Sequence, residues 1–194
     1  MAAKLTRDGL FRITYGERAD MTKEEVEERL PGKFEALLPG NPKARGYEIK
    51  NWAPHKIHQR CAPSFRVGRL LLAADAAHVC NPFGGLGITG GFVNVSGLYD
   101  CLAGIWYGKA DPSILDIYSE KRKEIWYNVI DAVSQKNFRR VTERDPQGNP
   151  PKEQWEMFVS GVDNDPELRK KLLMQRLGIR YDFTQHYTSH ESRL

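Results

Sequence analysis

The sequence predicts an α+β protein in which a small, mainly antiparallel sheet is covered by helices gathered toward the C-terminus. Three observations carry this. Short alternating stretches lie in the first third of the chain, a near-continuous apolar run ends at Asp75, and apolar residues at three-to-four spacing dominate from residue 88 onward.

Taken in order, Leu10 to Tyr15 alternates apolar and polar residues with β-formers and stops at Gly16, which reads as a half-buried strand. Thr22 opens a helix. With Glu25 it makes a capping box, and Met21 is placed to staple against Val26. That helix is expected to end near Leu30, before Pro31-Gly32, with a separate helical turn over 33–38. Residues 46–60 read as one or two strands broken near Pro54. Val67 to Ala74 has no polar face apart from Gly68 and Arg69, the pattern of a strand buried on both sides, with Asp75 at its carboxyl end. A glycine-rich loop, Asn81 to Gly87, leads into a helix over 88–107. A second helix opens at Asp111-Pro112, a cap followed by a residue with no amide to lose. Ile114, Tyr118, Ile125, Val129 and Val133 form its inner stripe. Further helices are expected over Lys152–Val159 and from Asp165-Pro166-Glu167, and the polar last fifteen residues are expected to pack loosely.

Composition excludes several classes of function. Hydrophobic residues make up 40% and charged residues 28%, the balance of a folded soluble chain. The net charge of +4 is spread, with no block of roughly five or six basic residues, so no nucleic-acid partner is expected. No signal peptide opens the sequence and no apolar run reaches the ~18 residues of a membrane span, which implies a cytoplasmic protein with no membrane partner. Cys61, Cys80 and Cys101, odd in number and without C-x-x-C spacing, indicate neither a disulfide framework nor a metal site.

The stretch from Gly68 to His78, ending Ala74-Asp75-Ala76-Ala77-His78, precedes Asn81-Pro82-Phe83-Gly84-Gly85-Leu86-Gly87. Together they resemble the second flavin motif of class A flavin-dependent monooxygenases of the aromatic-hydroxylase type. The strand over 10–16, His58-Gln59-Arg60 and Asn137-Phe138-Arg139-Arg140 share the resemblance. It implies that Asp75 stands where the family's aspartate binds the ribityl chain of FAD. It also implies that Gly84, Gly85, Leu86 and Gly87, through Thr89, face the pyrimidine edge of the flavin, where amides and the helix dipole favour negative charge. The fold implied is a truncated form of the family's. Residues 1–66 would be a remnant of the substrate-binding lobe, 67–140 a remnant of the flavin-facing lobe, and 141–194 a helical extension and tail.

Two departures shape the functional expectation. Position 74 is Ala where the family has Gly, and a methyl group tolerates close approach and unusual backbone angles less well. The family's N-terminal βαβ unit with its G-x-G-x-x-G loop is not found in the sequence, nor is its middle Asp-Gly motif. Gly85-Leu86-Gly87-Ile88-Thr89-Gly90 matches the letters of that loop, but its strand ends ten residues earlier, so it fails the structural requirement. FAD is therefore expected to have been lost, and the protein to purify without colour.

The reading that follows is a cofactor-free enzyme of natural-product biosynthesis. The space left by the flavin would fold a hydrophobic small molecule and promote cyclisation of the Diels–Alder type, or isomerisation, by holding reacting ends together. Asp75, His78 and Thr89, with His55 or His58, would supply polar contacts. Trp52, Pro82, Phe83 and Gly87 would supply the walls. Each has a plainer reading: Asp75 caps the following helix, His78 is structural, and Trp52 and Phe83 belong to the core. His55 and His58, three apart on a strand, face opposite sides, so at most one meets a pocket. The alternatives are a non-catalytic subunit paired with a complete monooxygenase and an FAD-dependent monooxygenase fragment. An apolar strand over 69–74 without flanking strands also points to a homodimer or a rearranged sheet.

Overall fold

Thr22 and Glu25 cap their helix as the sequence predicts. The Thr22 hydroxyl accepts from the Glu25 amide at 3.2 Å and Glu25 Oε2 accepts from the Thr22 amide at 2.7 Å. The computed structural model describes residues 2–43, 46–143 and 159–188. They fall into two units, Met1–Lys56 and Ile57–Leu194.

In the first unit β1 (Ala2–Lys4) pairs antiparallel with β2 (Phe11–Ile13), Ala3 opposite Arg12. Helix α1 (Lys23–Leu37) does not end at Leu30 but runs through Pro31-Gly32. Its last turns are held by Phe34, whose ring centroid lies 6.4 Å from that of Tyr15 and 5.1 Å from that of Tyr47. This packing outweighs the one ladder bond that Pro31 removes. The strands expected over 46–60 reduce to Arg60–Cys61. Pro54 offers no amide for a ladder, and its neighbours are largely exposed, so pairing them would bury little.

In the second unit β3 (Arg60–Cys61) pairs with β6 (His78–Val79), and β4 (Arg66–Val67) with β5 (Leu70–Leu71). Every ladder among the described residues is antiparallel. The doubly buried strand expected over 67–74 is instead this β4–β5 hairpin. Gly68, at φ +59°, opens its two-residue turn, the positive angle that such turns require. Val67 and Leu70 are left 70% and 74% exposed. The turn glycine, and not the apolar run around it, decides the local fold.

Helix α2 (Leu86–Trp106) carries one charged residue, Asp100. Gly90, Gly97 and Gly104, about two turns apart, open one face of it. A Cβ at Gly90 would lie 2.8 Å from Ile130 and one at Gly97 2.6 Å from Phe183, while Tyr187 fills the space at Gly104. On another face Ile88, Phe92, Val95, Tyr99, Leu102 and Trp106 stand exposed.

The next helix is continuous but changes register. α3 (Ile114–Ile125) passes through a π-turn (Trp126–Asp131) into α4 (Ala132–Thr142). Of the predicted stripe Ile114, Tyr118 and Ile125 are buried, but Val129 is half-buried and Val133 is 42% exposed. The extra residue of the π-turn moves the inner face to Trp126, Ile130 and Ser134. Asp165 caps α5 (Pro166–Gln175), accepting from the Glu167 and Leu168 amides at 2.9 and 3.0 Å. The helix expected over Lys152–Val159 lies outside the described residues apart from Val159.

The C-terminal stretch corrects the expectation of loose packing as far as it is described. Phe183 is fully buried among Cys101, Ile114, Leu115 and Tyr118. Thr188 N donates to Lys109 O at 2.8 Å. All three cysteines are free thiols. Among the described residues no helix is long and apolar enough to cross a membrane, and no cluster of His, Cys, Asp or Glu is placed to hold a metal.

Candidate functional site

The glycine-rich loop leaves β6 and turns into α2. Gly84 and Gly85 have φ of +125° and +65°, and Gly85 donates to Pro82 O at 3.2 Å. Gly85 stands at the cap position of α2 with no side-chain acceptor, so the first amides of the helix are left to other partners. Thr89 Oγ1 donates back to Gly85 O at 2.8 Å. Asn137 Nδ2 donates to Phe83 O at 3.3 Å, and the Phe83 ring packs 5.6 Å from that of Phe138. A Cβ on Gly84 would lie 3.0 Å from that Asn137 nitrogen, so the loop runs close against α4. Pro82 is exposed and Gly87 half-buried.

Asp75 is exposed on a 3-10 turn, Ala74–Ala76. The turn begins at Ala74 with φ +52°, a left-handed angle that costs a residue with a Cβ. It sits tightly on α2, where a Cβ on Gly91 would meet the Ala74 methyl at 3.1 Å. The glycine usual at this place in the resembling family would remove both strains.

His78 is 3% exposed and belongs to a buried polar chain. Its Nε2 lies 2.9 Å from Asn94 Nδ2, Asn94 Oδ1 accepts from Arg122 Nε at 2.7 Å, and Arg122 Nη1 donates to Ile179 O at 2.6 Å. Burial first, then the Arg122 charge, hold the His78 pKa below its ordinary value of 6.5. Burial also brings Arg122 down to about 10. A neutral imidazole therefore accepts from Asn94 on Nε2 and keeps its proton on Nδ1. So placed, His78 fastens β6 to α2 and α3.

Trp52 is half-buried with Lys23 Nζ 5.5 Å from its ring, and His55 is exposed. Both belong to the first unit. His58 is exposed in the second, and neither histidine lies on a strand. The structure thus gathers Asp75, Phe83, Gly84 to Thr89 and His78 around the first turns of α2. Sequence reasoning missed Asn94, Arg122 and Asp131. Asn94 was open to detection as an amide within a helix that carries one charge. Arg122 and Asp131 gave no signal, because their faces depend on the fold of the helix that bears them.

Comparison with known proteins agrees with this arrangement. The FAD binding domain family matches residues 7–133. Para-nitrophenol 4-monooxygenase of Pseudomonas sp. (strain WBC-3) is 39% identical over 146 residues, 75% of this chain and 36% of the relative. The crystal structure of p-nitrophenol 4-monooxygenase from Pseudomonas putida DLL-E4 superposes with a TM-score of 0.78 at 33% identity, over 92% of this chain and 44% of that one. The Diels–Alderase of pyrroindomycin biosynthesis shares the fold, with a TM-score of 0.63 at 22% identity over 93% of this chain and 38% of that one. The chain thus spans less than half the length of the relatives it matches. It belongs to the FAD binding domain family, among the flavin-dependent aromatic monooxygenases.

Proposed function

We propose that the chain forms the flavin-facing part of an FAD-dependent aromatic monooxygenase acting on a phenol of the nitrophenol class. The observation that carries this is the loop. Two glycines at positive φ lead into a helix N-terminus without a side-chain cap, and exposed Asp75 rides on a turn packed against the same helix. This donor set suits the ring and ribityl end of FAD. The amides of Leu86 and Gly87 would meet the negative edge of the ring, and Asp75 would accept from ribityl hydroxyls. The adenine and pyrophosphate end has no such cradle among the described residues, where every ladder is antiparallel. In this reading it is held by polypeptide outside them. Bound and reduced, FAD supplies the oxygen chemistry at the aromatic ring. The residues of this chain orient the ring edge, and Phe83 packed on Phe138 keeps water from that side of the loop. The phenol is taken from the activity for which the matched relatives are named. A cytoplasmic setting, where the three thiols stay reduced, is part of the proposal.

The cofactor-free cyclisation expected from the sequence is the competing reading, and the Diels–Alderase at 22% identity speaks for the fold alone. Titration of the purified chain with riboflavin and with FAD, followed by quenching of flavin fluorescence, separates the two. Riboflavin and FAD are expected to bind weakly and with similar affinity, which also leaves the purified chain colourless. Asp75→Ala is expected to weaken both about tenfold. Absence of quenching by either flavin would reject the flavin reading in favour of cofactor-free chemistry.

A further inference from the structure

A glycine-rich loop cannot hold itself, because it has few side chains with which to fix its backbone. Here one amide outside the loop does much of that work. Gln59, just before β3, uses its full hydrogen-bonding capacity. Its Oε1 accepts from the Asn81 amide at 3.0 Å and from Asn81 Nδ2 at 3.2 Å. Its Nε2 donates to Asp131 Oδ1 and to Ser134 Oγ, each at 2.8 Å. Asn81, 4% exposed, passes the constraint on, since its Oδ1 accepts from the Phe83 amide at 3.0 Å. Asp131 is itself fixed, with both carboxylate oxygens accepting from Gln135 Nε2 at 2.8 Å. It closes the π-turn, and the shift of register there is what turns Ser134 inward.

We propose that Gln59 is a positioning residue for the flavin-facing loop, tying Asn81 to the Asp131 carboxylate on the π-turn. Its bearing on flavin rests on the reading of the loop given above. The tie to the loop does not. Gln59 has the polarity the site demands: it gives to a carboxylate on one side and takes from an amide on the other. Glutamate would set two carboxylates face to face, and leucine would leave Asn81 and Ser134 without their partner.

Amide hydrogen exchange at Asn81, Phe83 and Gly85 tests the tie, with riboflavin quenching measured on the same proteins. Gln59→Glu is expected to speed exchange at these three amides about tenfold, relative to amides of α2 and α5, and to weaken riboflavin by a similar factor. Adding Asp131→Asn reverses the polarity of the bond, because the new amide donates to the carboxylate introduced at position 59, and is expected to restore both readings to near the wild type. Gln59→Leu is expected to act like Gln59→Glu but to gain nothing from Asp131→Asn. Exchange that is unchanged in Gln59→Glu, raised evenly across the protein, or not rescued in the double variant would overturn the proposal. Local acceleration and rescue without riboflavin binding by the wild type would uphold the tie and reject the flavin reading.

Discussion

Phe183 occupies the space that a side chain on Gly97 would need, a Cβ there lying 2.6 Å from Phe183 Cε2. The ring is fully buried, with centroids 5.8 Å from Tyr118 and 4.8 Å from Tyr181. Gly97→Ala is therefore expected to destabilise the protein. Overpacking costs about 1–3 kcal/mol, against the ~1 kcal/mol that alanine gains over glycine within a helix. A thermal melt checks this, and an unchanged or higher midpoint would mean that the ring does not sit on α2.

Ala74 is expected to respond in the opposite sense. Its φ of +52° is a left-handed angle, and its methyl crowds the backbone side of Gly91. Ala74→Gly relieves both and is expected to stabilise by about 1 kcal/mol, the left-handed cost exceeding the entropy lost by glycine. Urea denaturation reads the difference; a loss of stability would show that the strain is not there.

His78 gives the protein a pH dependence of predictable sign. With its pKa held below 6.5 in the folded state, the unfolded chain takes up a proton that the folded protein refuses. The stability this contributes is fully present above that value and falls as pH drops below it, by at most about 1.4 kcal/mol per pH unit. Arg122 strengthens the effect, and the Asn94 bond and the Asp75 charge oppose it. His78→Gln removes the titrating group. Unfolding free energies measured between about pH 7 and about pH 5 are expected to fall less steeply in the variant. Parallel slopes would contradict the burial of a neutral imidazole.

The exposed face of α2 predicts stickiness without instability. Phe92, Tyr99 and Trp106 are 72%, 68% and 84% exposed, and replacing all three by lysine is expected to leave unfolding free energy within about 0.5 kcal/mol per site. Binding of a hydrophobic dye should fall sharply. Sedimentation equilibrium on the same pair reads out the homodimer expected from the sequence, since self-association through this face would give the variant a lower mass.

What could be read in advance was what depends on neighbours in the chain. The Thr22–Glu25 box, the Asp165 cap and the passage from Asn81 to Gly87 into a helix each act within a few residues, and each stands where it was expected. The run from Val67 to Ala74 misled because its apolar side chains suggested a buried strand, while the backbone freedom of Gly68 folded it back on itself. Phe183 was unreadable for another reason: its socket is made of missing atoms on α2, which no pattern around residue 183 reveals. Of the candidate site, the loop and Asp75 were legible from the motif. The groups that hold them were not, because Gln59 and Asp131 meet across 72 positions of sequence.

The π-turn makes the chain's length, and not only its composition, a condition of the site. Deleting a single residue between Trp126 and Asp131 would restore an unbroken α-helix and rotate everything after it by about 100° about the axis. Ser134, Asn137 and Phe138 would leave the loop together, with no side chain altered. Gene variants in this stretch should therefore differ sharply in effect. Substitutions at exposed Tyr127 or Asn128 are expected to pass, whereas loss of one codon there is expected to be as damaging as a core mutation.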